Sequence, residues 1–169
     1  MDVDEIDAFL DEAKGLQGPF WGWQPGVRPN EFESIWPIEN DLGIVRAQLR
    51  FRFSKMEKAF PSVSLVFRTS PIWRIDLVPN DACKLNPPGA HLLGLPPRVC
   101  GPHCHSWPDN REYVRINGLG QLPFRRQIPV NLRRVEPIVH WLGERINLKV
   151  EPNQRGFDVP PAVDLFDMR

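Results

Sequence analysis

The segment that decides the fold is Gly43–Phe53, which reads GIVRAQLRFRF. Apolar and polar side chains alternate along it, and the apolar set is Val45, Ala47, Leu49, Phe51 and Phe53. A period of two residues predicts a β-strand, near residues 44–53, that buries one face and exposes the other. The exposed face carries Arg46, Arg50 and Arg52. Because these like charges repel one another, we expect either an anionic ligand over them or pairing with Glu or Asp.

Two more segments show the same alternation. PSVSLVFRT predicts a strand over residues 62–68, and SPIWRIDLVP predicts one over residues 72–78. Short connections join the three strands, so we expect an antiparallel meander in which Arg74 lies near the arginines of the first strand.

Both ends of the chain predict helices. Residues 3–14 place Ile6 and Phe9 on one side and carboxylates on the other, as an amphipathic helix does. The segment NLRRVEPIVHWLGERINL (131–148) predicts a second helix, with Pro137 in its first turn. We therefore predict an α+β fold, an antiparallel β-meander sheet with an N-terminal and a C-terminal helix packed on one face. The functional site should lie on the opposite face, which bears the arginines.

The length of 169 residues is enough for a core of its own and predicts a single domain over residues 1–169. We expect it to have three parts. They are an acidic wrap rich in Trp and Pro (1–40) with an edge strand over 20–23, a basic sheet with the site loop (41–126), and a helix with an extended tail (127–169).

The net charge of zero conceals a segregation of charge along the chain. Residues 1–40 hold nine acidic and two basic side chains, whereas residues 41–126 hold thirteen basic and six acidic ones. Sixteen of the 21 basic residues are arginines, whose guanidinium suits bidentate contacts with phosphate or carboxylate. The basic middle predicts nucleic acid or another polyanion as partner. Alternatively, the acidic N-terminal segment folds onto the basic middle and neutralises it.

The sequence also indicates a compartment. No run of apolar residues approaches the length of a membrane span, and the acidic N-terminus lacks a signal-peptide pattern. We therefore expect a soluble, cytoplasmic protein with no membrane partner. Three cysteines, an odd number in such a chain, predict no disulfide framework.

The stretch RVCGPHCHSWPDNR (98–111) concentrates side chains that carry chemistry. Two cysteines and two histidines fall within six consecutive positions of it. On an extended backbone His103, His105 and Trp107 share one face, while Cys104 points to the other. This geometry leaves three interpretations open.

In the first interpretation, His103 and His105 hold a zinc ion, for structure or for hydrolysis. Cys100, and Cys83 and His91 in the long proline-rich loop before it, are candidate further ligands. A four-ligand cage that uses every nearby Cys and His is not expected, because Cys104 points away from both histidines.

In the second interpretation, the two histidines act without a metal as acid and base in phosphodiester cleavage, as in a ribonuclease. The charge of the transition state could then be stabilised by Arg50, Arg52, Arg74 or Arg111, and Trp107 is a candidate to stack a base. In the third, the histidines bond backbone carbonyls in a packed loop, and Cys100 and Cys104 are buried as small apolar groups. The sequence leaves open whether the protein is an enzyme.

Several short motifs follow one another from residue 74 to residue 111. They are Arg74-Ile75-Asp76, Asn86-Pro87, Gly101-Pro102-His103-Cys104-His105 and the aromatic Trp107. This succession resembles a small, uncharacterised bacterial domain family with the pattern Arg-x-Asp, Asn-Pro, Gly-Pro-His-x-His. The resemblance implies that Arg74, Asp76, Asn86, His103 and His105 work together, and it implies no activity.

The leading hypothesis is a small bacterial or phage protein that binds RNA or DNA through its arginine-bearing face. Its substrate-binding set is Arg46, Arg50, Arg52, Arg74, Asn86, His91 and Trp107, and its catalytic set is His103, His105 and Arg111. No cofactor is expected in that case. One alternative is a zinc protein that uses Cys100, His103 and His105. Another is a protein-interaction module, inhibitor or antitoxin-like, that contacts its partner through the acidic N-terminal segment.

Overall fold

The structure is a computed structural model that describes residues 2–56 and 60–154. Three α-helices lie in these ranges, namely α1 (Val3–Asp11), α2 (Trp107–Asn117) and α3 (Val135–Arg145). The strands are β1 (Lys14–Leu16), β2 (Gln24–Pro25), β3 (Glu31–Asn40), β4 (Val45–Ser54), β5 (Ser62–Phe67), β6 (Ser70–Asp76), β7 (Cys83–Leu85), β8 (Arg98–Cys100), β9 (His103–His105), β10 (Arg126–Gln127) and β11 (Leu148–Lys149). Short 3-10 helices span Ala90–Leu93 and Pro152–Gln154. Most of the predicted extended tail lies outside the described residues.

One sheet organises the described ranges, with its strands in the order β10-β9-β6-β5-β4-β3-β1-β11 and with β2 paired to β3. Its neighbouring strands are antiparallel, except that β1 and β11 run parallel. Strands β7 and β8 form a separate hairpin. The predicted α+β fold with an antiparallel sheet is confirmed, and β4, β5 and β6 begin and end within two residues of the predicted bounds. No helix in residues 2–56 and 60–154 has both the length and the apolar character needed to cross a membrane.

The alternation in β4 produces the buried face of the sheet. Leu49 lies opposite Trp36 of β3 on one side and opposite Leu65 of β5 on the other, and all three are inaccessible to solvent. Val45 was predicted to belong to this face but is exposed. A β-bulge at Arg46 of β4, between the pairs Ile38–Ala47 and Glu39–Val45, breaks the alternation, so Val45 no longer points into the core.

Both terminal helices pack on this buried face, as predicted. Phe9 of α1 lies over Phe67 of β5, with ring centroids 4.6 Å apart. Ile138 and Leu142 of α3 belong to the same buried cluster. A Cβ atom at Gly143 would lie 2.8 Å from the Leu148 carbonyl oxygen, so glycine is needed for α3 to approach β11 this closely.

The predicted edge strand over 20–23 is not found, and those residues lie outside any strand. The long strand in the N-terminal part is β3, which pairs with β4 along its whole length. Pro37 disfavours a strand in the sequence, but its carbonyl accepts a hydrogen bond from the Gln17 N–H at 2.9 Å. Because the nitrogen and carbonyl of a strand residue point the same way, the missing N–H of Pro37 faces the end of β1 and costs no bond to β4.

Helix α2 differs from the prediction, which has residues 101–107 extended. Ser106 is its N-cap, and the Ser106 hydroxyl accepts a hydrogen bond from the Asp109 N–H at 3.4 Å. Pro108 occupies the first turn, where its lack of an N–H costs nothing. Ser-x-x-Asp with a proline between is a helix-start signal, so the sequence did contain the information.

The expectation of no disulfide was also wrong, because Cys83 and Cys100 are bonded to each other. They are opposite residues in the β7–β8 hairpin, which closes the loop between them. The third cysteine, Cys104, is a buried free thiol, and burial raises its pKa to about 12. The odd count therefore reflects one disulfide and one core residue.

Lys14 joins the ends of two helices although it is buried, with 3% of its surface exposed. Its ammonium donates to the carbonyl oxygens of Leu10 at 3.1 Å, of Glu12 at 2.5 Å and of Ile146. These carbonyls lie at the carboxyl ends of α1 and α3, where the helix dipoles favour a cation. Burial lowers the pKa of Lys14 to about 8.

Replacing Lys14 by Met should lower the free energy of unfolding by about 2 kcal/mol or more, because three carbonyl oxygens lose a charged donor. Urea denaturation followed by circular dichroism measures the change. Lys149→Met is the matched control, since the Lys149 side chain is 77% exposed and pairs with Glu151 at the surface. Equal stability of the two variants would contradict a joining role for Lys14.

Candidate metal centre

The pairing of β9 with β6 assembles the site. Asp76 lies opposite His103, and Arg74 lies opposite His105. Cys104, between the histidines, lies opposite Ile75 and points into the core. The two histidines therefore share one face of the strand, as an extended backbone predicts, and that face is the one that bears the arginines.

Three potential metal ligands meet at this point. The Nε2 atoms of His103 and His105 each lie 3.7 Å from Oδ2 of Asp76. One ligand atom from each residue falls within 4.8 Å of the other two. All three residues are buried.

Hydrogen bonds fix the orientation of both imidazole rings. Nδ1 of His103 donates to the Gly101 carbonyl oxygen at 2.9 Å, and Nδ1 of His105 donates to the Leu122 carbonyl oxygen at 2.5 Å. Since a carbonyl oxygen accepts hydrogen bonds and does not donate them, the proton of each neutral ring lies on Nδ1. Each Nε2 is then left with a lone pair that points towards the Asp76 carboxylate.

The charge state of His105 agrees with this assignment. Burial, and then the positive charge of Arg74, lower the pKa of His105 to about 4. The ring is therefore neutral near pH 7 and can act as a metal ligand there.

Arg74 holds the carboxylate of Asp76 in place. Its Nε donates to Oδ1 at 3.0 Å and to Oδ2 at 2.8 Å, and its Nη2 lies 2.6 Å from Oδ2. The Arg74 side chain is half exposed, so the pair lies at the boundary between the buried ligands and solvent.

The three ligands open into a cleft of about 640 Å³. One part of its wall is formed by the segment 120–123 together with Arg125. Three cations line it, namely Arg74, Lys84 and Arg125, against the single carboxylate of Asp76. The cleft is thus positively charged before any metal ion is counted.

Two asparagines clamp the wall segment that ends at Arg125. The side chain of Asn86 accepts from the Arg125 N–H and donates to the Arg125 carbonyl oxygen, both at 2.9 Å. The side chain of Asn110 likewise accepts from the Phe124 N–H at 2.8 Å and donates to the Phe124 carbonyl oxygen at 3.0 Å. The family resemblance grouped Asn86 with the histidines. Asn86 is not one of the three potential ligands, but it fixes the wall of the cleft.

The predicted substrate-binding arginines of the sheet face are paired within the chain. Arg46 donates to Glu12 at 2.6 Å, while Arg50 and Arg52 lie 2.9 and 3.6 Å from the same Glu33 oxygen. Glu12 follows α1, so the acidic N-terminal segment does fold onto the basic middle at this point. Arg50 and Arg52 nevertheless share one carboxylate, which leaves a surplus positive charge on this part of the face.

Four predicted site residues lie elsewhere. Arg111, on the helix side of the sheet, pairs with Asp7 at 2.7 Å and does not join the histidines. Trp107 is 2% exposed and donates to Asp7, so it cannot stack a base. His91 is an exposed residue of a 3-10 helix, and Cys100 is used in the disulfide, which removes it and Cys83 as zinc ligands.

Sequence reasoning from the residues alone missed Asp76, Arg125 and Asn110. Asp76 entered through the family resemblance, because no local spacing relates it to the histidines. Its signal is the end of a strand, where a carboxylate is unusual among apolar residues. Arg125 and Asn110 carry no signal, since both depend on contacts between distant segments.

Comparisons of the chain with known protein families, with curated proteins and with solved structures find no match.

Replacing Asn86 by Ala should release the main chain of Arg125 and lower the free energy of unfolding by about 2 kcal/mol, because three side-chain hydrogen bonds are lost. Hydrogen–deuterium exchange should show faster exchange of the Arg125 amide. Asn131→Ala, at an exposed position, is the control. An unchanged exchange rate at Arg125 would show that Asn86 does not hold this segment.

Proposed function

We propose that the protein is a metal-dependent hydrolase in which Asp76, His103 and His105 hold a divalent ion, zinc foremost. The observation that carries the proposal is the meeting of three electron-pair donors, two imidazole Nε2 atoms and one carboxylate oxygen. Neither Nε2 has a hydrogen-bond partner within the described residues. Buried acceptors that face one another repel unless a cation lies between them.

The surroundings of the three ligands fit a catalytic metal site. Catalytic zinc is typically held by three protein ligands from His and carboxylate groups, with a further position left open. The Nδ1 bonds to Gly101 and Leu122, and the hold of Arg74 on Asp76, are the outer contacts that metal ligands usually have. When bound, zinc lowers the pKa of a water molecule towards neutrality and so supplies a nucleophile for hydrolysis.

A second metal ion is compatible with this ligand set. Two histidines and a carboxylate also bind Fe(II) in oxygenases. Because the two ions differ in mass and in spectrum, the metal recovered with the protein decides between hydrolysis and oxidation.

The geometry supports this proposal more than a metal-free acid and base. An acid in phosphodiester cleavage must carry a proton that it can give to the leaving group. The Nδ1 protons of His103 and His105 are already committed to carbonyl oxygens, and the lowered pKa of His105 leaves its Nε2 without a proton at neutral pH.

We further propose RNA or DNA as the substrate polymer. A second groove adjoins the cleft at Pro71 and Arg74, and Arg50, Arg52 and Arg68 line it. Arginines along a continuous groove favour a polyanion. The alternative of a protein-interaction module gains no support from α1, because Ile6 and Phe9 are core residues and Asp7 is paired with Arg111.

Native mass spectrometry of protein purified without a metal-affinity tag should find about one metal ion per chain. Asp76→Asn, His103→Ala and His105→Ala should each weaken zinc binding by at least about 100-fold, since even outer-shell partners are worth 10- to 100-fold. They should also abolish hydrolysis of bis(4-nitrophenyl) phosphate. His91→Ala, which changes a solvent-exposed histidine, is the control.

Two results would count against a metal enzyme. One is protein that binds no zinc when titrated with it. The other is triad variants that bind zinc as tightly as the His91→Ala control.

A further inference from the structure

We infer that Arg125, together with Arg74, forms a phosphate-binding subsite beside the Asp76–His103–His105 cluster. This deepens the proposed function, because it identifies the group under attack as a phosphate ester. The subsite itself rests on the arginines and not on the presence of a metal.

The first reason is that the Arg125 guanidinium has no anionic partner. Its Nε is buried without a hydrogen bond, and no carboxylate lies within 4.0 Å of the guanidinium, in residues 2–56 and 60–154. Within these residues the guanidinium makes one hydrogen bond, a long one in which Nη2 donates to the Pro123 carbonyl oxygen at 3.5 Å. A partly buried guanidinium with unused donors is costly unless a ligand fills them.

The second reason is that Arg74 and Arg125 face the same cleft. Burial, and then the charge of Arg74, lower the pKa of Arg125, so the two guanidinium groups repel each other. The charge of Asp76 raises the pKa of Arg125 by less than these two effects lower it, and Arg74 already engages both oxygens of Asp76. An anion placed between the two arginines would remove this repulsion.

The third reason is that hydrogen bonds fix the main chain of Arg125. Both main-chain polar groups of Arg125 are held by Asn86, which is 9% exposed and comes from a segment 39 residues away. The guanidinium is therefore presented to the cleft from a fixed backbone. Such preorganisation lowers the entropy lost when an anion binds.

The charge of the cleft selects phosphate over a carboxylate. Arg74, Lys84 and Arg125 exceed Asp76 by two positive charges while the histidines are neutral. A tetrahedral phosphate can offer oxygens to both guanidinium groups at once, whereas a carboxylate has two oxygens and a single charge. The neighbouring groove of Arg50, Arg52 and Arg68 would then receive the next phosphates of a strand.

Isothermal titration calorimetry with inorganic phosphate tests the subsite. The protein is treated with EDTA first, so that the result does not depend on a metal. Arg125→Gln should weaken phosphate binding by about tenfold or more, because it removes charged hydrogen bonds. Arg115→Gln is the matched control, since Arg115 lies on α2, on the other side of the sheet, and pairs with Glu112. Arg125→Lys, a milder change, should give an intermediate affinity.

The outcomes separate this inference from the proposed function. Saturable phosphate binding that falls in Arg125→Gln and persists in His103→Ala supports the subsite, even if zinc does not bind. No saturable phosphate binding, equal affinity in Arg125→Gln and Arg115→Gln, or tighter binding of acetate than of phosphate, would overturn it. Zinc binding should be unaffected by Arg125→Gln, so loss of one site does not imply loss of the other.

A second arm identifies the source of the phosphate. Fluorescence anisotropy with a single-stranded oligothymidylate should show binding that falls with salt and weakens in Arg50→Gln/Arg52→Gln. Both effects would support a nucleic-acid strand across the groove. An oligonucleotide that binds no tighter than inorganic phosphate would overturn the extension into the groove, leaving a small phosphate ester as the ligand.

Discussion

The pairing of β6 with β9 is the interaction on which the site depends. It places Asp76 against His103 and Arg74 against His105, across a gap in sequence that contains a hairpin and a 3-10 helix. Because side chains alternate along a strand, a slip of one residue in this pairing would turn Asp76 away from the histidines. The register is therefore as important to the chemistry as the identity of the ligands.

The hydrophobic core sets that register. Ile75 and Cys104 are opposite one another and both are fully buried, so any slip would expose one of them or bury a charge. Buried side chains of β4 lie beside buried side chains of β5, and these lie beside buried side chains of β6. The alternation of buried and exposed residues in β4 is therefore repeated in the next two strands. The polar groups of the site thus lie where packing on the other face positions them.

The wall segment at Phe124 and Arg125 is held in a different way, because no long strand pairs with it. The side-chain amides of Asn86 and Asn110 bond its main chain in place of a neighbouring strand.

Local periodicity explains which parts of this arrangement could be predicted. The strands β4, β5 and β6, the terminal helices and the shared face of the two histidines all follow from patterns within about ten residues. Strand β3 was missed because Pro37 is tolerated only where its nitrogen faces the end of β1. The disulfide, the partnership of Asp76 with the histidines and the clamp on Arg125 depend on pairing between distant segments. Spacing in the sequence contains no information on such contacts. Charge segregation did offer, as one of two alternatives, an acidic N-terminal segment folded onto the basic middle, and the pair of Glu12 and Arg46 is an instance of it.

The burial of Cys104 has a consequence for the covalent integrity of the fold. Thiol–disulfide exchange requires a thiolate to reach a sulfur atom along the axis of the existing bond. Cys104 is fully inaccessible on the core side of β9, while the disulfide partner Cys100 is three residues before the start of that strand. The free thiol cannot attack the Cys83–Cys100 bond in the folded protein. Exchange of disulfide partners among the three cysteines is therefore confined to the unfolded chain.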